Sequence, residues 1–222
     1  MTSLVQRFNV RFQVIPTREW SQEVFSGPLD LLGLVRIPGE IEVDLKILKG
    51  LMGTFKTAHP GRIISQLGPI PTCFAQKICV KQAYRHKSTG EISRYRDTEA
   101  HAKVVKEVVC LDWATILLDL TYRFIEEAVA EHGEPLGGIP QLRFVRAMLA
   151  EDPVAQKHFL IEEWIGGDME FVKYINNGHP VSCVRGDASE EVHQIAEFLC
   201  FAQHVQFNKT GGLAYTSDYQ GL

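Results

Sequence analysis

The sequence predicts an α+β fold in which a strand-rich region precedes two helices. Residues 41–48 ("IEVDLKIL") alternate apolar and polar side chains, and "TFKTAH" resumes this period of two after the glycine-containing break "KGLMG". Residues 98–132 instead place apolar side chains at helical spacing, and residues 187–206 do so again. A run of strands followed by helices is typical of the α+β class.

Length and composition indicate a folded chain of one domain or two lobes. The 222 residues are 45% hydrophobic and 23% charged, as in ordinary globular proteins. A net charge of -4 gives no reason to expect nucleic acid or a membrane as a partner. Five cysteines at irregular spacings, without a secretory signal pattern, predict a reducing, cytoplasmic location. No segment approaches the roughly 18 consecutive apolar residues of a membrane span, so we expect a soluble chain.

Individual elements can be placed along most of the chain. Prolines and glycines within residues 1–40 predict only brief strands and turns there, and Pro60-Gly61 marks the end of the "TFKTAH" strand. A further strand at 74–84 would put Lys77, Cys79 and Lys81 on one face.

The second half of the chain is read from its helical spacing and its turn residues. One long helix or two abutting helices occupy 98–132 and stop at Gly133. A hairpin follows within 141–165, where we expect two lobes to join. The last helix begins with Asp187 and Glu190 at capping-box spacing and ends before Gly211-Gly212, which precede a final strand.

Lys81 is the first candidate for chemistry, because a lysine within an apolar strand needs a counter-charge once it is buried. Glu107 on the following helix could supply one. A strand lysine with a helix glutamate, after a glycine turn, is how kinases hold the α- and β-phosphates of ATP. An exposed edge-strand lysine and a solvated glutamate remain the alternative. The sequence has no His-Arg-Asp, Asp-Phe-Gly or P-loop motif, which excludes the common protein kinases and P-loop enzymes.

Two C-terminal segments resemble the alpha-type (atypical) protein kinases. "FLIEEWIGGDMEFVKYINNGHP" (159–180) is similar to the hinge and Asn-rich loop of that family. "FAQHVQFNKTGGLAYTSDYQG" (201–221) resembles its segment in which a helix ends in His and, fourteen residues later, a strand carries Asp-x-Gln-Gly. Upstream, "GTFKTAHPG", "ICVKQAY" and "KEVVCLDWATILL" resemble the glycine-loop, ATP-lysine and glutamate-helix segments of the fungal branch.

This resemblance implies a two-lobed atypical protein-kinase-like fold. Its β-rich N-lobe would span about 41–158, its hinge about 159–166 and its partial, mixed C-lobe 167–222, after a poorly defined segment at 1–40. The implied site residues are Lys81 on the ATP phosphates, Glu107 as its paired acid (Glu99 in another helix register), Gly53 and Thr54 over the phosphates, main-chain groups of Glu162, Glu163 and Trp164 at adenine, and Asp218 with Gln220 on Mg²⁺. From the residues alone, Asp218 could equally be a turn acid, Asn176-Asn177 a tight turn and Lys173 a solvated side chain.

His204 resembles the family's first structural zinc ligand. The family continues past Asp-x-Gln with a Thr-Asp-Pro-Gln segment that holds a second essential Asp, and then a His-x-Cys-x-x-x-Cys run, and neither occurs here. A structural zinc needs four ligands, and Cys200, one turn before His204, is the sole nearby addition. We therefore expect a C-terminally truncated domain without zinc.

The implied function is ATP-dependent phosphorylation of Ser or Thr in a protein substrate, with Mg-ATP as the phosphoryl donor. The alternative is a pseudokinase that binds ATP or a partner protein, because phosphoryl transfer depends on charge neutralisation that a missing carboxylate would impair. A non-functional fragment is the third interpretation.

Overall fold

The computed structural model describes residues 4–21, 29–45, 55–75, 77–86, 88–89, 91–165 and 171–221. The elements are, in order, β1 (Val5–Val14), β2 (Arg36–Asp44), β3 (Lys56–Gln66), a 3-10 turn (Thr72–Phe74), β4 (Ile78–His86), β5 (Ile92–Arg94), α1 (Asp97–His132), β6 (Ala147–Asp152), β7 (Lys157–Glu163), β8 (Val172–Lys173), α2 (Glu190–Lys209) and β9 (Gln220–Gly221). These described residues form a β-rich α+β structure, as the periodicities predicted.

The described residues group into two compact units. Unit 1 contains residues 4–17, 29–112 and 145–165, and unit 2 contains residues 18–21, 113–144 and 171–221. Helix α1 therefore contributes its first half to unit 1 and its second half to unit 2. Within the described residues, no helix is long and apolar enough to cross a membrane.

Unit 1 is built on one antiparallel sheet with the strand order β3-β2-β1-β6-β7-β4-β5. A further pairing of β3 with β4 joins the two sides of the sheet, so that six strands close into a barrel. Its core contains Phe8, Val10, Phe12, Ile41 and Phe159, all at most 3% exposed.

Four strands of this sheet differ in extent from the sequence prediction. Strand β2 begins at Arg36 and not at 41, and β4 begins at Ile78 and not at 74. Strand β1 is not brief: its ten residues pair with both β2 and β6, because its alternating apolar side chains face the core. Strand β3 does not end at Pro60-Gly61 but continues to Gln66, and at Gly61 it exchanges its partner β4 for β2. A Cβ on Gly61 would lie 2.8 Å from the Glu42 carbonyl oxygen and 2.9 Å from a Val80 methyl, so glycine permits the close approach here.

Helix α1 covers one face of the sheet within unit 1. Val104 and Val108 of α1 are buried with Leu149 of β6 and Leu160 of β7. The helix ends at His132, and Gly133 has φ 83°, which is the glycine stop that the sequence predicted.

Unit 2 is organised around α2, whose buried face packs on Leu118 of α1 and on Tyr174, Ile175 and Tyr219. The N-cap of α2 is Ser189, whose hydroxyl accepts a hydrogen bond from the Val192 N–H. The capping-box prediction with Asp187 as the cap is therefore wrong by two residues. The final strand, β9, is only two residues long and pairs with β8.

Candidate functional site

Lys81 occupies the middle of β4, between β3 and β7. Its Nζ lies 2.5 Å from Oε2 of Glu162 on β7. The Lys81 side chain is 26% exposed and the Glu162 side chain 9%, so this carboxylate is nearly removed from water. The lysine therefore has the counter-charge that its position demands, but from the neighbouring strand and not from the predicted helix residue.

Glu107 on α1 forms an ion pair with a different lysine, Lys56 at the start of β3. In the β3–β4 pair, Lys56 is opposite Ala83, and Ala58 is opposite Lys81. Because Lys56 and Ala58 are two residues apart, their side chains share a face of β3, and the two lysines project from the same face of adjacent strands. The predicted Lys81–Glu107 pair is thus replaced by two lysine–glutamate pairs on one face. Glu99, the other helix acid considered, lies in the first turn of α1.

Sequence analysis did not single out Lys56. The sequence does indicate on which face Lys56 lies, because Lys56 and Ala58 are two residues apart in the "TFKTAH" strand and therefore share one face. Lys81 lies on the matching face of β4. What was missing was the register between β3 and β4, which places the two side chains together.

Cys79 shares this face and lies directly opposite Glu162. Burial raises the pKa of the Cys79 thiol to about 11, while the positive charges of Lys81 and Lys56 act against this rise and the charge of Glu162 adds to it. The thiol is therefore protonated at neutral pH. The cluster therefore offers two ammonium groups, each paired with a carboxylate, rather than a cysteine nucleophile.

The segment predicted as the hinge lies at the end of β7. Glu163 is buried, its Oε1 accepts the Arg146 N–H at 2.8 Å, and its own N–H donates to the Arg146 carbonyl at 3.0 Å. The Lys77 ammonium lies 5.8 Å from the ring centre of Trp164. Gly53 and Thr54, predicted over the phosphates, lie outside the described residues.

A second cluster lies in unit 2 around Asp218. The Asp218 carboxylate forms an ion pair with Lys173, and its side chain is 51% exposed. Gln220 is directly opposite Lys173 across the β8–β9 pair, so the structure brings Asp218, Gln220 and Lys173 together. Lys173, which from the sequence alone could have been a solvated side chain, is therefore the ion-pair partner of Asp218.

Asp218 has φ 64°, in the left-handed region that non-glycine residues rarely adopt. Its neighbour Ser217 donates a hydrogen bond of 3.2 Å from its hydroxyl to Oδ1 of Asn177. Asn177 is thus tied to the segment that carries Asp218, and both Asn176 and Asn177 are exposed.

Comparison with solved structures identifies the fold of this architecture. An alpha kinase from Entamoeba histolytica aligns over 98% of this chain and 72% of its own, with a TM-score of 0.59 and 11% identity. The alpha-kinase domain of myosin-II heavy chain kinase A in complex with AMP-PNP aligns over 98% of this chain and 78% of its own, with a TM-score of 0.58 and 14% identity. The chain has the alpha-kinase fold.

An inactive alpha-kinase domain of myosin heavy chain kinase A in complex with ATP aligns likewise, with a TM-score of 0.53, 14% identity, and 98% of this chain and 80% of that chain covered. No protein-family model matches the sequence, and no curated protein shows significant similarity to it. At these identities the likeness concerns the fold.

Within this alpha-kinase fold, His204 is an exposed residue of α2, one helical turn after Cys200. Burial raises the pKa of the Cys200 thiol. Among the residues that the structure describes, no group of three or more His, Cys, Asp and Glu side chains could hold a metal ion. The described residues therefore do not fit a structural zinc, which requires four ligands.

Proposed function

We propose that this chain binds Mg-ATP and phosphorylates Ser or Thr in a protein, as an alpha-type protein kinase. The observation that carries the proposal is the Lys81–Glu162 pair, which holds an ammonium in the middle of the sheet beside a second cation, Lys56. Structures with this fold contain ATP, ADP or AMP-PNP in myosin heavy chain kinase A, which supports a nucleotide as the ligand.

The proposed role of Lys81 is to contact the ATP phosphates. An ammonium held against a buried carboxylate is pre-positioned, and charge-assisted hydrogen bonds to phosphate are stronger than neutral ones. Glu162 acts through Lys81, and Glu107 acts in the same way through Lys56. We assign adenine binding to main-chain groups of 162–164 and phosphate cover to Gly53 and Thr54, whose N–H groups suit anionic oxygens.

Asp218 and Gln220 would hold Mg²⁺. The Asp218 carboxylate already engages a cation, the Lys173 ammonium, and it is open to solvent. One carboxylate and one amide oxygen fit Mg²⁺, which retains water and takes further oxygens from substrate phosphates. Bound there, the ion would neutralise charge on the transferring phosphate.

The proposed domain includes β1, since this strand pairs on both sides within the sheet. We place the chain nearest the fungal members of the family, on the strength of its upstream segments. We propose a reducing, cytoplasmic location from the five cysteines at irregular spacings.

The second candidate is a pseudokinase that binds nucleotide or a partner protein without transferring phosphate. The contact between Lys173 and Asp218 favours it, because the ammonium competes with Mg²⁺ for the same carboxylate.

Two measurements separate these functions. We expect the full chain to transfer labelled phosphate from ATP to a basic protein substrate, and ATP with Mg²⁺ to raise its melting temperature. Lys81→Met should abolish both effects, whereas Lys157→Met, which changes a lysine packed on Phe8, should keep them. A thermal shift without transfer would establish the pseudokinase, and the absence of both would refute nucleotide binding.

A further inference from the structure

The conformation of Asp218 requires an explanation, because a left-handed aspartate is disfavoured unless its surroundings hold it. The residue is half exposed, so its own side chain is not fixed by packing. Lys173 contacts both the carboxylate and the carbonyl oxygen of Asp218, and further constraint comes from the residues on either side.

One buried side chain, Gln206 of α2, contacts the chain both before and after Asp218, and it is 0% exposed. Its Oε1 accepts the Thr216 N–H at 2.8 Å. Its Nε2 donates to the Tyr219 hydroxyl at 3.5 Å. Gln206 thus contacts the chain two residues before Asp218 and one residue after it.

Gln206 is itself held in place. Its Nε2 also donates to the hydroxyl of Thr121 at 3.2 Å, and that hydroxyl donates to the Leu117 carbonyl within α1. Nearby, Nε2 of Gln203 donates to the Thr216 carbonyl at 2.9 Å, so both peptide groups of Thr216 are bonded to α2. These hydrogen bonds tie the Thr216 backbone to α2 and restrict the segment that carries Asp218.

We propose that Gln206 is a positioning residue that holds Asp218 in its left-handed conformation, from which the carboxylate faces Lys173 and, by the proposed function, Mg²⁺. Gln206 does not touch either cation. It acts through Thr216 and Tyr219, and the alignment of Asp218 is what its loss would change.

The test compares Gln206→Leu with Gln194→Leu in the full chain. Gln194 is an exposed residue of the same helix and serves as the matched control. NMR coupling constants that report φ at Asp218 are measured without ligand, so this arm does not depend on kinase activity. The Mg²⁺ concentration for half-maximal phosphate transfer is measured separately from kcat.

We expect Gln206→Leu to lose the left-handed couplings at Asp218 and to raise the half-maximal Mg²⁺ concentration about tenfold, whereas Gln194→Leu stays like the wild type. If Gln206→Leu lowers the melting temperature but leaves the Asp218 couplings unchanged, Gln206 is merely structural and the inference is overturned.

If Gln206→Leu does not fold, Thr121→Val replaces it in the test. This substitution removes the Thr121 hydroxyl to which Gln206 donates and preserves side-chain volume. It should shift the Asp218 couplings in the same direction by a smaller amount, and unchanged couplings would overturn the inference. In a further outcome, the wild-type chain transfers no phosphate while Gln206→Leu still loses the left-handed couplings at Asp218. That result would refute the kinase function and uphold the positioning role.

Discussion

Replacing Lys81 with methionine should both destabilise the fold and abolish ATP binding, and a second substitution separates the two effects. Methionine keeps the apolar stem of lysine and removes only the ammonium. The Glu162 carboxylate, 9% exposed, then loses the one ion-pair partner that it has among the described residues. The variant Lys81→Met/Glu162→Gln removes this unpaired charge.

The expected cost of Lys81→Met follows from the burial of its partner. Removing one member of a fully buried ion pair costs about 3–5 kcal/mol. Because the Lys81 side chain is 26% exposed, water can reach part of the pair, and we expect about 2–3 kcal/mol. For a chain of this size that corresponds to a fall in melting temperature of roughly 5–10 °C. The double variant should recover more than half of it.

ATP binding should behave differently from stability. Neither variant has the ammonium, so calorimetric titration with Mg-ATP should show loss of binding in both, although the double variant is nearly as stable as the wild type. Lys157→Met is the matched control and should bind ATP normally. Wild-type affinity in the double variant would refute the role of Lys81, and equal stability of Lys81→Met and wild type would refute the account of Glu162.

Three further outcomes are expected. Asp218→Asn should change the melting temperature little, because asparagine tolerates the left-handed conformation and the exposed pair with Lys173 is worth about 0–1 kcal/mol. The same substitution should abolish Mg²⁺-dependent phosphate transfer, and retained transfer would contradict the proposed metal site. Ser189→Ala should lower the free energy of unfolding by about 1 kcal/mol in denaturant titrations while Asp187→Ala does not, and the reverse order would restore Asp187 as the cap. Iodoacetamide at pH 8 should label exposed Cys183 well before Cys79, of which only roughly one thiol in a thousand is ionised at a pKa of about 11. Labelling of Cys79 should accelerate as the pH rises towards that value, and rapid labelling at pH 8, detected by mass spectrometry, would show that the thiol is not buried.

The elements that sequence analysis predicted well are those whose signal is local. Helix α1 spans 36 residues of apolar spacing and ends at a glycine, so its bounds follow from the residues themselves. Strand β4 likewise has Ile78 and Val80 buried and Lys81 on the other face, as alternation requires. Strand β1 was missed because the prolines and glycines that follow it obscured a pattern that is only ten residues long.

The candidate site was predictable as residue types but not as partners. The sequence shows charged or polar residues in the predicted strands, helix and hinge, namely Lys81, Glu107, Glu162, Asp218 and Gln220. Which lysine meets which glutamate depends on the register of β3, β4 and β7, and no local pattern encodes that register.

By itself the sequence determined the class of the fold, the length of the helices and the face of β4 on which a lysine lies, because these follow from side-chain periodicity and turn residues within a few positions. Only the tertiary structure decided that Glu162 and not Glu107 neutralises Lys81, that Lys56 joins it, and that Gln206 holds the backbone on both sides of Asp218. These contacts join residues that lie 10 to 81 positions apart in the chain. Their formation depends on which strands pair and how the helices pack, since a buried charge or amide is stabilised by whatever partner the fold brings within hydrogen-bond distance.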